Sequence, residues 1–133
     1  MRRNKDAYMN YVCPYCLNTL NKCSCTLFPP YQLILIDKNI QEHVRILNEK
    51  GYRTTACCEG HKDVCISTYI AFASHYFDDT SVPEGFKYDK KRKTVTYAYS
   101  TKLTEEEMEE LKKEKLETLL TWCKNLPNRS MEN

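Results

Sequence analysis

The chain has 133 residues, of which 41% are hydrophobic and 29% are charged, and its formal net charge is +2. This length and composition fit one compact domain and exclude a disordered chain, because a domain of this size buries roughly two-thirds of the surface that its unfolded form exposes. No stretch approaches the roughly 20 consecutive apolar residues of a membrane span, and the N-terminus lacks the apolar core of a signal peptide. We therefore expect a cytoplasmic protein without a membrane anchor.

The first 30 residues differ in composition from the rest of the chain, since they are rich in Cys, Asn and Tyr and end at Pro29-Pro30. Proline restricts the residue before it to extended backbone, so this pair marks a boundary. Aliphatic residues are too few in this segment to build a core. We interpret residues 1–30 as an appended module, residues 31–126 as the core domain and residues 127–133 as a tail.

The core domain opens with a strand followed by a helix. Residues 31–36 (YQLILI) are a continuous apolar run that predicts a buried strand. Asp37 then stands at the expected N-cap of a helix that extends to about Lys50, where Gly51 provides the left-handed exit. The apolar face of this helix recurs at helical spacing in Ile40, Val44 and Leu47.

Two pairs of strands are predicted after this helix. Residues 52–58 and 64–72 read as strands joined by the tight segment 59–63, and residues 86–99 read as a hairpin. Residues 73–85 are rich in Asp, Ser, Pro and Gly, which is typical of a surface loop. In the second strand, alternation directs one set of side chains to the core: Ile66, Thr68, Ile70 and Phe72.

The last predicted element is a long helix. Thr104 and Glu107 have the spacing of a capping box, and Pro127 stops the helix after about Leu126. Its apolar stripe, which we expect to pack on the sheet, consists of Met108, Leu111, Leu116, Leu119, Leu120, Trp122, Cys123 and Leu126.

The cysteines favour a metal site over disulfides, because thiols in the cytosol stay reduced. Four of the eight cysteines lie within thirteen positions, as Cys13-Pro14-Tyr15-Cys16 and Cys23-Ser24-Cys25. Two tight turns at this spacing present four sulfurs to one tetrahedral zinc ion, and a fully coordinated zinc orders a segment without catalysing a reaction. We predict that Cys13, Cys16, Cys23 and Cys25 bind structural zinc. The predicted fold is therefore α+β, a two-layer sheet covered by two helices, with an N-terminal zinc knuckle.

A second cluster, Cys57, Cys58, His61 and Cys65, lies around the turn between two predicted strands. Adjacent Cys57 and Cys58 point to opposite faces of a strand, so at most one of them can join the other two. Three such ligands would make an open metal site with Glu59 as a base, as in a metal-dependent or thiol enzyme acting on nucleic acid. Two other interpretations stay open. Cys57 is a buried apolar side chain while Glu59 and His61 hydrogen-bond the loop, or Glu59 and His61 form a recognition tip.

The residues CPYC at positions 13–16 resemble a glutaredoxin active site, and Ser81-Val82-Pro83 resembles the segment that supplies the cis-proline of that family. The resemblance implies a nucleophilic Cys13 and a resolving Cys16. The residues after Cys16 lack the amphipathic pattern of the required helix, and residues 1–12 are too polar for the strand that should precede it. A glutaredoxin-like oxidoreductase is therefore an alternative rather than the leading prediction.

The surface chemistry favours a protein partner over nucleic acid as the main ligand. Residues 87–93 carry five positive charges and one negative charge, which allows contact with phosphate, but a net charge of +2 does not suit a nucleic-acid coat. Tyrosine is enriched in the centres of interfaces, and the chain has ten tyrosines. Five of these tyrosines are candidates for a protein interface, which we expect if several of them are exposed near the zinc module: Tyr8, Tyr11, Tyr15, Tyr76 and Tyr88.

The segment LNEKGYRTTACCEGH followed by YIAF resembles a recurring segment in small phage and prophage proteins of low-GC Gram-positive bacteria. Such accessory proteins include anti-CRISPR inhibitors, some of them zinc-bearing, which bind a Cas effector and block DNA loading or cleavage. The resemblance implies a non-enzymatic zinc-binding protein that inhibits a Cas9-type effector inside a bacterial host cell.

Overall fold

The structure is a computed structural model that describes residues 9–12, 34–62 and 65–129, with side chains described for residues 36–62 and 65–129. Within these ranges it contains six strands and two α-helices. In chain order they are β1 (Met9–Val12), β2 (Ile34–Asp37), α1 (Gln41–Glu49), β3 (Thr54–Cys58), β4 (Ser67–Phe72), β5 (Lys87–Asp89), β6 (Thr94–Ala98) and α2 (Glu105–Asn125).

The main sheet has four antiparallel strands in the order β3-β4-β6-β5. The two helices pack against each other, α1 contacts β3 and α2 contacts β4, so the predicted α+β fold with a sheet and two helices is confirmed. Three of the four predicted core residues of β4 are confirmed, because Thr68, Ile70 and Phe72 are buried and alternate with half-buried neighbours, whereas Ile66 is half-buried and precedes the strand. Residues 73–86 contain no helix or strand, as the loop prediction required.

A second, two-stranded sheet pairs β1 with β2 in antiparallel register, with Met9 opposite Asp37 and Val12 opposite Ile34. The sequence predicts no core strand before Cys13, but the structure has a strand at Met9–Val12. Residues 9–12 give little strand signal because their pairing partner, β2, lies more than 20 positions away, and sequence periodicity does not reveal such a partner. The predicted zinc knuckle at Cys13, Cys16, Cys23 and Cys25 lies outside the described residues.

Asp37 stands at an N-cap as predicted, but it precedes a 3-10 turn rather than α1 and does not cap it. A 3-10 turn, Lys38–Ile40, separates β2 from α1, and the Asp37 side chain makes no capping hydrogen bond. The predicted exit from the helix is correct, since Gly51 has φ +95°. The amide of Tyr52 donates to Leu47 O at 2.8 Å and that of Gly51 donates to Asn48 O at 3.1 Å, which is a Schellman motif.

The long helix α2 begins as predicted. Thr104 Oγ1 accepts from the amide of Glu107 at 3.1 Å, and Glu107 Oε1 accepts from the amide of Thr104 at 2.8 Å. The predicted stripe supplies four buried side chains, but α2 also buries one residue that the stripe did not include, Lys112. The buried stripe residues are Met108, Leu116, Leu119 and Cys123.

Neither helix in the described part of the chain has the length and apolar composition needed to cross a membrane.

The two candidate interface tyrosines whose side chains are described are not exposed. Tyr88 is buried and Tyr76 is half-buried against the core, where Tyr52, Phe72 and Phe77 surround it. The side chains of Tyr8, Tyr11 and Tyr15 lie outside the described set.

Candidate metal centre

Three side chains from separate parts of the chain converge where the two sheets meet. Asp37 ends β2, Cys58 ends β3, and His61 follows in the turn before β4. One ligand atom from each residue lies within 4.8 Å of the other two. A carboxylate, a thiol and an imidazole at this separation form a group that can hold a metal ion.

The carboxylate of Asp37 is the most unusual member of this group, because it is only 3% exposed. Its Oδ2 accepts from the amide of Glu59 at 2.9 Å and lies 3.0 Å from His61 Nε2. Its Oδ1 is buried and has no hydrogen-bond partner among the described residues. A buried carboxylate oxygen without a partner costs free energy, and a cation at this position would remove that cost.

His61 is already oriented toward the carboxylate, with its side chain 18% exposed. With the Nε2–H tautomer, the ring donates to Asp37 Oδ2 across the 3.0 Å contact. A metal ion bound to both atoms would replace this proton without moving either side chain far. The pair therefore presents a preformed edge of a metal site.

Cys58 is buried, and its Sγ accepts from the amide of Gly60 at 3.4 Å. Burial raises the pKa of the Cys58 thiol, and a hydrogen bond with the thiol of Cys65 raises the pKa further. Cys65 lies just beyond, with its backbone paired to His61 and its Sγ donating to Ser67 O at 3.5 Å. The two thiols are thus neighbours, although Cys65 lies outside the 4.8 Å group.

The turn that carries these residues depends on Gly60, which has φ +103°. A Cβ at this position would lie 3.2 Å from both Thr68 Oγ1 and a ring carbon of Tyr99. Thr68 also donates to Glu59 O at 2.8 Å and hydrogen-bonds the Tyr99 hydroxyl. The glycine therefore satisfies both the left-handed backbone and the close packing that hold Cys58 and His61 in position.

Glu59 lies between two members of the group but is turned away from it and is 2% exposed. Its Oε1 accepts from the amide of Asn39 at 3.0 Å, and its Oε2 accepts from Asn39 Nδ2 and Lys112 Nζ, each at 3.0 Å. Lys112 also donates to Gly60 O at 3.1 Å. Burial lowers the pKa of Lys112, but the hydrogen bond and charge of Glu59 outweigh burial, so the pKa is raised. Glu59 is therefore a structural anchor, and neither a free base nor an exposed recognition tip.

The structure separates the members of the second predicted cluster. Cys58 and His61 come together and Cys65 lies beside them, whereas Cys57 points to the other side and packs against the hydrophobic core. Burial raises the pKa of Cys57 to about 12, as expected for an unreactive apolar thiol. Asp37 is the member that the sequence analysis missed. Its signal was an acidic residue directly after a buried strand, which a helix cap explains equally well.

Other sequence features bear less on this site. The described cysteines, Cys57, Cys58, Cys65 and Cys123, are all free thiols. No cis peptide bond occurs in the described ranges, so the cis-proline that the glutaredoxin resemblance implies at Pro83 is absent.

Comparisons of the chain with protein-family models, curated proteins and solved structures gave no match.

Proposed function

We propose that the protein is a non-enzymatic zinc-binding protein in which Asp37, Cys58 and His61 hold the ion and join the β1–β2 sheet to the main sheet. One observation carries this proposal: Asp37 Oδ1 is buried without a hydrogen-bond partner among the described residues, on a carboxylate that lies beside a thiol and an imidazole. Native proteins rarely leave such an oxygen unsatisfied, and a bound cation is the partner that this donor set supports.

The donor set favours zinc among the common metals. Zinc accepts sulfur, nitrogen and oxygen ligands in one tetrahedral site, whereas calcium and magnesium require oxygen ligands throughout. Sulfur and imidazole together also disfavour manganese, and a single buried thiol beside a carboxylate does not suit an iron–sulfur cluster.

Cys65 is the natural fourth ligand in this proposal. Its thiol hydrogen-bonds the Cys58 thiol, so it is the sulfur next to the group. Four protein ligands leave no position for a reactive water, and the carboxylate of Glu59 is occupied by Asn39 and Lys112. These two points favour a structural ion over the metal-dependent enzyme that the cluster first suggested.

Metal stoichiometry of the purified full chain tests the site. With the predicted knuckle at Cys13 to Cys25 also loaded, we expect about two zinc ions per chain. Cys58→Ser should lose one ion, and Cys65→Ser should weaken binding of that ion. Cys57→Ser is the matched control, because this neighbouring thiol faces the core, and it should keep both ions.

A Cys58→Ser variant with unchanged zinc content and unchanged affinity would overturn the proposal. Cys16→Ser tests the knuckle separately, since loss of an ion in that variant reports only on the N-terminal cysteines. Circular dichroism of each variant distinguishes a lost ligand from a failure to fold.

The partner is proposed on the resemblance alone: a Cas9-type effector that the zinc-bearing protein binds and inhibits. Titration of the protein into a DNA-cleavage assay with such an effector tests this. Inhibition that saturates near one chain per effector supports it. Unchanged cleavage at excess protein contradicts the partner and leaves the zinc site untouched.

A further inference from the structure

We propose that a cavity beside the β5–β6 hairpin binds a nucleotide unit of single-stranded nucleic acid. The cavity lies at the β5 edge of the main sheet, whereas Cys58 of the metal centre lies on β3 at the opposite edge. Its volume is about 340 Å³, which lies within the range of small-molecule sites. It is lined by His75, Phe77, Tyr88, Lys90 and Lys91.

The inner wall of the cavity is aromatic and fixed in position. Phe77 and Tyr88 line the cavity and belong to the hydrophobic core, so little of either ring is exposed. His75 is exposed, and its Nδ1 hydrogen-bonds the Tyr88 hydroxyl at 2.8 Å. The two rings meet edge to face with centroids 6.0 Å apart. A histidine ring held in this way offers a stacking surface for a planar base without a further entropic cost of ordering.

The rim of the cavity is positively charged. Lys90 and Lys91 line it, and Lys87 and Arg92 are exposed on the same hairpin. Within the described ranges, none of these four cations forms an ion pair. The one carboxylate of the hairpin, on Asp89, accepts from the amides of Lys91 and Arg92 at 3.0 and 3.3 Å, so it serves the turn. Several cations are therefore available for phosphate groups.

An aromatic wall beneath a cationic rim fits a nucleotide better than other polyanions. An acidic peptide matches the charge but supplies no planar ring for the wall, and a duplex keeps its bases stacked inside the helix. The small overall charge of +2 agrees with a local site for a few nucleotides rather than a coat along a strand.

Fluorescence anisotropy with a short labelled single-stranded oligonucleotide tests the proposal. Lys90→Glu/Lys91→Glu should weaken binding about 10-fold or more and flatten its dependence on salt, because phosphate contacts are lost. Lys102→Glu/Lys113→Glu is the matched control, since it changes two exposed lysines elsewhere by the same charge and should weaken binding far less.

The aromatic contribution needs its own variant. His75→Ala should weaken binding roughly 5-fold or more while leaving the salt dependence unchanged, since a stacked base is lost and the phosphate contacts remain. Three results would each overturn the proposal: equal losses in the two lysine variants, no effect of His75→Ala, or competition by poly-glutamate as effective as by the oligonucleotide. The cavity shares no residue with the metal centre, so this proposal and the zinc proposal fail independently.

Discussion

The two oxygens of Asp37 have different surroundings, and this difference is the strongest pointer to a ligand in the described chain. Oδ2 accepts a hydrogen bond from the backbone amide of Glu59 and contacts His61 Nε2. Oδ1 is buried without a hydrogen-bond partner in the described part of the chain. A second buried orphan, Nδ1 of His43, has a different meaning because His43 belongs to no group of three ligand side chains among the described residues. The first orphan belongs to a convergent group, and the second belongs to the packing of α1 on α2.

We expect Asp37→Asn to lower zinc affinity at the second site about 10-fold or more, because an amide oxygen replaces an anionic ligand of similar shape. Competition with a chromophoric chelator measures the affinity. Asp79→Asn changes an exposed loop carboxylate and should leave it unchanged. Equal affinities of Asp37→Asn and the unaltered protein would remove Asp37 from the ligand set.

His43 should make stability depend on pH. Burial lowers its pKa below 6.5, despite the opposing charges of Glu42 and Glu59, and its Nε2–H donates to Leu116 O at 2.7 Å. As the pH falls, the unfolded chain therefore binds a proton at His43 at a higher pH than the folded chain does. The contribution of neutral His43 to the free energy of unfolding is fully present above pH 6.5. It falls as the pH drops from 6.5 through the lowered pKa, by about 1.4 kcal/mol for each unit by which the pKa is lowered.

The check is urea unfolding of the unaltered protein and of His43→Gln, whose side-chain amide can still donate to Leu116 O. Both should lose stability in acid through their carboxylates, but the unaltered protein should lose more between pH 7.5 and pH 5.5. This window brackets the pKa of free histidine, which is about 6.5. Parallel curves would show that His43 does not contribute.

At the scale of elements, α2 is capped at its N-terminus and is attached to the rest of the fold at its C-terminus and in the middle. Thr104 and Glu107 close its first turn, and Lys50 Nζ donates to three carbonyls at its C-terminal end at 2.6 to 3.0 Å. In the middle, Lys112 is 6% exposed and reaches Glu59 and the backbone of Gly60. This buried pair connects α2 to the turn that carries Cys58 and His61.

Lys112→Met should destabilise the protein by roughly 3 to 5 kcal/mol, because it leaves the Glu59 carboxylate buried without its cation. Glu59→Gln together with Lys112→Met should recover much of this loss, since no uncompensated charge then remains. Urea unfolding of the two single variants and the double variant gives the coupling energy. Additive losses would mean that the ion pair does not act as a unit.

At the scale of the whole molecule, the proposed zinc ion joins two sheets that share no strand. Asp37 ends β2 of the β1–β2 sheet, Cys58 ends β3 at the edge of the main sheet, and His61 lies in the turn that follows β3. Among the described contacts, Asp37 and Asn39 link the segment from β2 to the turn through hydrogen bonds with Glu59 and His61. The ion would reinforce this junction.

Removal of zinc by a chelator should therefore accelerate hydrogen exchange at residues 34–37 and 58–61 more than in the β5–β6 hairpin, which lies at the far edge of the sheet. Mass spectrometry of peptides from both regions measures this. Uniform acceleration would indicate global destabilisation, and no acceleration at either segment would contradict the junction.

The sequence by itself determined the features whose partners are close along the chain. The capping box of α2 joins residues three positions apart, the exit at Gly51 follows from the last turn of α1, and the core face of β4 follows from simple alternation. Each is set by backbone geometry over one or two turns, so periodicity and residue type suffice to predict it.

Only the tertiary structure decided which side chains meet. Asp37 is 22 and 24 positions from the partners of its Oδ2, and Lys112 is 53 positions from Glu59. In the sequence, Asp37 has the pattern of a helix cap and Lys112 has the pattern of a solvated lysine. Local sequence preferences do not depend on a ligand or a counter-charge that lies far along the chain, so they cannot predict these contacts. Packing of the strands and helices brings these groups within hydrogen-bond distance, and burial then gives the contacts their energetic weight.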